Sequence, residues 1–147
     1  MKTGIKVCDA MTCKPIQLDI RTSVRECAEM MEKHHVGSVL VKKGRELVGI
    51  VTEQDIVRKV VSHKLDLEKT IVGDITTGKV TAISPEQDIY EAIILMRDNN
   101  IRHLPVMDGE TMVGFITGKD ILKLQPQLFE YLAEVIEIRE QDRKLGL

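Results

Sequence analysis

Two short patterns hold the chemistry of this sequence: Gly49-x-x-Thr52-x-x-Asp55 and Gly114-x-x-Thr117-x-x-Asp120. Each sets a hydroxyl and a carboxylate where a β-rich run gives way to a predicted helix. A helix start presents backbone N–H groups without intrahelical partners and a partial positive charge, which suits a phosphate. The threonine hydroxyl can add a hydrogen bond to that phosphate or to a ribose. An ionised aspartate offers two acceptor oxygens, a match for two vicinal ribose hydroxyls. The glycine reads as room for a ligand to approach the backbone. Thr-x-x-Asp is also a helix-capping arrangement, and a lone copy would more often be only that. Occurrence at two equivalent positions favours the ligand reading, although shared folding needs would also duplicate the pattern.

Other chemistries are poorly supplied. No Ser-His-Asp set, metal-ligand cluster or Walker loop is visible, and one aspartate per copy needs no catalytic role, so an enzyme is not expected. His34 and His35 are adjacent and cannot share a helix face as metal ligands at i, i+4 would; they read as solvated residues at a helix end. The net charge of -2 and the few aromatics (Tyr90, Tyr131, Phe115, Phe129) give neither a basic stripe nor a stacking platform, which argues against nucleic acid. No apolar run approaches a membrane span, and no secretory leader is expected at Met1–Lys6. Cys8, Cys13 and Cys27 form an odd set without a Cys-x-x-Cys pair, so reduced thiols and a cytoplasmic setting are expected. Each cysteine reads as a small buried hydrophobe.

The elements that must position the two patterns come from an internal repeat. Shifted by 65 positions, residues 7–60 lie over 72–125 without a gap. Val7, Asp9, Glu26 and Met31 meet Val72, Asp74, Glu91 and Met96. Val24, Cys27, Ala28 and Met31 make one apolar helix face, and Ile89, Ala92, Ile93 and Met96 make its copy. Ser23 with Glu26, and Asp88 with Glu91, read as helix caps. Strands are expected at Val36–Val41 and Leu47–Val51, joined at Gly44. The second copy has Ile101–Val106 and Met112–Ile116, joined across Asp108-Gly109. Short strands at Ile16–Leu18 and Val80–Ile83 precede the first helices, and second helices open at Thr52 and Thr117. Each unit is thus βαββα and too small to fold alone. The expected fold is α/β (α+β), with repeats at 1–64 and 65–125 related by a pseudo-twofold and packed sheet to sheet. A short polar connection (Ser62–Thr70) should keep the pair rigid. A helical tail follows at 126–147, with Leu128, Leu132, Val135 and Ile136 on one face; that face packs on its own domain or meets a partner.

The openings of the form Val7-x-Asp9-x-Met11-Thr12, the run Ile101-Arg102-His103-Leu104-Pro105-Val106 and the repeated Gly-x-x-Thr-x-x-Asp together resemble a pair of cystathionine-β-synthase (CBS) domains, a Bateman module. The likeness covers residues 4–125. It implies a regulatory module that needs no cofactor and takes an adenosine-containing ligand (AMP, ADP, ATP or S-adenosylmethionine) in clefts between the repeats. It implies Asp55 and Asp120 as ribose ligands and Thr52 and Thr117 as their neighbours. Thr81 matches a cleft-lining position, and Arg102 with His103 match a basic pair facing phosphate. Their first-repeat counterparts are Ile16, Gly37 and Ser38, so the clefts are expected to be unequal. The implied pseudo-twofold assigns Arg102 and His103 to the Asp55 cleft and leaves Thr81, Thr117 and Asp120 with Gly37 and Ser38. A homodimer and relay of ligand state to an unidentified protein partner complete the expectation. The alternative is a scaffolding pair with degenerate clefts, which Ile16 favours and the two aspartates oppose.

Overall fold

The computed structural model describes residues 2–76, 78, 80–128, 130 and 133. Along the chain run α1 (Val7–Ala10), β1 (Gln17–Asp19), α2 (Val24–His34), β2 (Ser38–Lys43), β3 (Glu46–Thr52), α3 (Glu53–Asp55), α4 (Val72–Ile75), α5 (Ile89–Asp98), β4 (His103–Asp108), β5 (Thr111–Thr117) and α6 (Gly118–Leu124). The α3 turn continues as a π-helical stretch, Ile56–Val61. The architecture is the mixed α+β tandem repeat that the periodicities predict. Both hairpins turn on a glycine in the left-handed region, Gly44 (φ 63°) and Gly109 (φ 61°), 65 residues apart.

Two compact units form. The inner unit along the chain is Pro15–Val80; the outer unit joins Met1–Lys14 to Thr81–Leu147. In the inner unit β1 pairs parallel with β2, and β2 antiparallel with β3. Val24, Cys27 and Met31 of α2 pack on Val39, Val41 and Val51 beneath them. The outer core repeats this with Ile89, Ala92, Ile93 and Met96 on Leu104, Val106 and Ile116. Cys27 is fully buried, and burial pushes its thiol up to about 11. Cys8 is half-buried and Cys13 exposed, so the reading of all three as core hydrophobes fits only Cys27 fully.

The openers of the two repeats are placed unexpectedly. Val7 of α1 lies in the outer core, whereas Val72 and Ile75 of α4, its equivalent, lie in the inner core. Each opener therefore packs with the helix and strands of the repeat that it does not begin. Backbone bonds fix this: Val7 N donates to Gln87 O (2.8 Å), and Val72 N to Thr22 O (2.8 Å). Asp88, the N-cap of α5, adds a clamp. Its carboxylate accepts from Tyr90 N, from Thr3 N and Oγ1, and from Gly4 N, all within 2.8–2.9 Å. Partial burial pushes that carboxyl up, but these donors outweigh it and hold it below the usual carboxylate range.

One expected strand is reduced to a single bridge. Where Leu40 N donates to Ile16 O (2.9 Å) to extend the inner sheet, the equivalent residue in β4 is Pro105. Proline has no N–H, so the ladder donor toward Thr81 is missing. Among the described residues of this segment only Ile83 pairs, parallel to Val106. The tail begins with Leu128 buried in the outer core; the rest of its predicted face lies outside the described residues. Among these, no helix is long and apolar enough to cross a membrane.

Candidate functional site

Thr52 and Thr117 are N-caps, and the Thr-x-x-Asp pattern folds the same way twice. Thr52 Oγ1 accepts from Asp55 N (3.2 Å), and Asp55 Oδ2 accepts from Thr52 N (2.9 Å) and Oγ1 (3.1 Å). Thr117 and Asp120 reproduce the box at 3.3, 2.9 and 3.0 Å. Capping is therefore real in both copies, but it consumes only one carboxylate oxygen. The other oxygen separates the copies. Asp55 Oδ1 meets Lys59 Nζ at 3.1 Å, and that ammonium also donates to Ile75 O (2.9 Å). The residue equivalent to Lys59 is Leu124, and among the described residues Asp120 Oδ1 has no partner. The Asp55–Lys59 spacing is an ordinary i, i+4 helix pair, so this difference was readable from the sequence but was missed.

The remaining predicted residues gather at the same end of the outer sheet. His103 is the cross-strand partner of Thr117, and Gly118 N donates to Arg102 O (3.0 Å). Thr81 lies two residues before Ile83, along the same end of β4. Thr81, His103, Thr117 and Asp120 are half-buried and Arg102 is exposed. Among the described residues no backbone donor reaches the Thr81 carbonyl, a consequence of Pro105. His103 stacks on Phe115 (centroids 5.7 Å, planes 25° apart), which holds the imidazole plane. The inner sheet presents the matching end with Thr52 and Asp55, both half-buried, beside Ile16, Gly37 and Ser38.

The glycine of the second pattern serves another purpose than the one expected. A Cβ on Gly114 would stand 2.9 Å from Thr12 O and from Met11 Cγ, and would also press on Met11 Sδ. The space is taken by the protein's own opener and not by a ligand. Among the described residues, no three His, Cys, Asp or Glu side chains stand together as metal ligands.

Comparison with known proteins agrees with the tandem-repeat fold. A family model of the CBS domain matches twice, over residues 7–62 and 72–126. A mitochondrial CBS domain-containing protein of Arabidopsis thaliana is 37% identical over 129 residues, covering 84% of this chain and 58% of that protein. The chain spans 63%, 68% and 58% of the lengths of the first curated relatives it matches. A CBS-domain protein from Burkholderia ambifaria superposes with a TM-score of 0.76 at 32% identity, covering 82% of this chain and 93% of its own. A CBS-domain pair solved in complex with 5′-methylthioadenosine and S-adenosyl-L-methionine superposes with a TM-score of 0.74 at 26% identity, covering 84% and 97%.

Proposed function

The chain belongs to the CBS-domain family, and on that premise we propose that it is a regulatory module sensing an adenosine-containing ligand (AMP, ADP, ATP or S-adenosylmethionine) and relaying ligand state to a protein partner. One observation carries this reading. The capping box immobilises the Asp120 carboxylate through one oxygen and leaves the other without a partner among the described residues, at the sheet end where Thr81, Arg102 and His103 also stand. A fixed, half-buried carboxylate oxygen is a preorganised acceptor for ribose hydroxyls. Thr52 and Asp55 form the corresponding ribose end in the inner repeat, and Arg102 supplies positive charge for phosphate, with the His103 ring beside it. The Thr81 carbonyl, reached by no backbone donor among the described residues, adds an acceptor for a base or sugar donor. No catalytic step or resident cofactor is required. The three unpaired cysteines suit the reducing cytoplasm.

Calorimetric titration with AMP, ADP, ATP, adenosine and S-adenosylmethionine tests the reading. At least one of them is expected to bind with one or more sites per chain. No heat and no thermal shift with any of them at about 1 mM would leave the scaffold reading. The ion pair on Asp55 and the counterparts Ile16 and Gly37 favour that second reading for one end only.

We also propose a homodimer. Val57 and Val61 stand one turn apart on the π-helical stretch at 59% and 60% exposure, an apolar pair that a second copy would cover. Light scattering at roughly 10–50 μM is expected to give a dimer, and Val57→Asp with Val61→Asp a monomer. A wild-type monomer under those conditions overturns the dimer.

A further inference from the structure

The two repeats exchange a charge at one corner. Backbone geometry there is the same in both: Glu53 N donates to Gly37 O at 3.0 Å, and Gly118 N to Arg102 O at 3.0 Å. The side chains are reversed. The outer corner has Arg102 on the strand side and no side chain on the helix side, where Gly118 stands. The inner corner has no side chain at Gly37, and the Glu53 carboxylate fills the space above it, its carbon and one oxygen 3.5 Å from where a Cβ would be. The neighbouring positions follow the same sign. Ser38 and Gln54 in the inner repeat correspond to His103 and Lys119 in the outer one. The Asp55 charge is already matched by Lys59.

From this reversal we infer that the chain sorts adenosine ligands by charge. The end served by Arg102 and His103 takes phosphorylated adenosine. The counterpart end at Gly37, guarded by Glu53, rejects phosphate and takes adenosine ligands without it, neutral or cationic. The inference rests on the nucleotide reading above. A phosphate dianion held roughly 6 Å from a carboxylate in a wet site is repelled enough to weaken binding about tenfold, and more at low salt. Glu53 is a specificity-determining residue in this view, not a ribose ligand.

The test uses the full chain and calorimetry with AMP and adenosine. Wild type is expected to bind one AMP and two adenosines per chain. Gly37→Arg with Glu53→Gly, which copies the outer corner, is expected to bind two AMP. A Cβ at Gly37 meets nothing closer than 3.5 Å, and the atoms it meets belong to the Glu53 carboxylate that the second substitution removes. The milder Glu53→Gln should raise the ratio of AMP to adenosine affinity at the second site about tenfold, and less at high salt. Two equal AMP sites in wild type, or a double variant that binds two adenosines but still one AMP, overturns the sorting and spares the nucleotide reading. Binding of neither ligand by any variant overturns that reading and the sorting with it.

Discussion

Asp120→Ala is expected to weaken adenosine-ligand binding at one site per chain by about 10- to 150-fold, or ~1.5–3 kcal/mol. The same substitution should lower stability by about 1 kcal/mol, because Asp120 Oδ2 caps α6 through Thr117 N and Oγ1. Both effects come from one carboxylate whose two oxygens have different duties. Asp120→Asn separates them. Its amide oxygen can still cap the helix, so melting temperature should hold nearly constant, while the charge offered to the ribose is lost. Asp55→Ala is expected to cost less affinity. A ribose there must compete with Lys59, already 3.1 Å from Asp55 Oδ1. The decisive comparison is melting temperature against affinity on the same preparations. A lower melting temperature for Asp120→Ala with unchanged affinity at every site would reduce the pattern to a helix cap.

How much of this was legible follows from which signals are local. The helix faces Val24-Cys27-Ala28-Met31 and Ile89-Ala92-Ile93-Met96 are local periodicities; the second is buried as predicted, and the first is buried except at Ala28, which is exposed. The hairpin glycines and the Thr-x-x-Asp helix starts are also local, because φ > 0 and N-cap chemistry are set within a few residues. The destination of α1 and α4 is not local. A repeat visible at an offset of 65 says which residues are equivalent, but not which copy of the core each opener enters; Val7 and Val72 satisfy either core equally well as sequence. Ser23 shows a finer limit. Its hydroxyl accepts from Glu26 N at 3.1 Å as the capping pattern predicts. Asp88 instead caps through Tyr90 N and spends its other acceptor sites on Thr3 and Gly4, 84–85 residues away. The loss of the Val80–Ile83 strand was readable in principle. Proline in the neighbouring strand removes a ladder donor wherever it falls, and Pro105 stands opposite the expected strand. The role of Gly114 was not readable, since its neighbour Met11 is 103 residues distant.

Gly114→Ala is expected to destabilise the protein by about 1–3 kcal/mol, lowering the melting temperature by roughly 2–4 °C for each kcal/mol lost. The new Cβ would meet two atoms of different compliance. Met11 has a flexible thioether that can turn aside. Thr12 O, 2.9 Å from the Cβ position, cannot, because it accepts from Phe115 N (2.9 Å) while Thr12 N donates to Phe115 O (2.8 Å). Relieving the contact means stretching that pair of bonds, which ties the opener to β5. A double-mutant cycle with Met11→Ala divides the cost. Shortening Met11 removes the thioether clash but leaves the carbonyl, so the two substitutions should be coupled by ~0.5–3 kcal/mol, with part of the Gly114→Ala penalty surviving. Complete rescue would mean that the side chain alone is at fault. An unchanged melting temperature for Gly114→Ala would mean that the opener does not hold its place on the outer sheet, and with it would go the account of why this position is glycine.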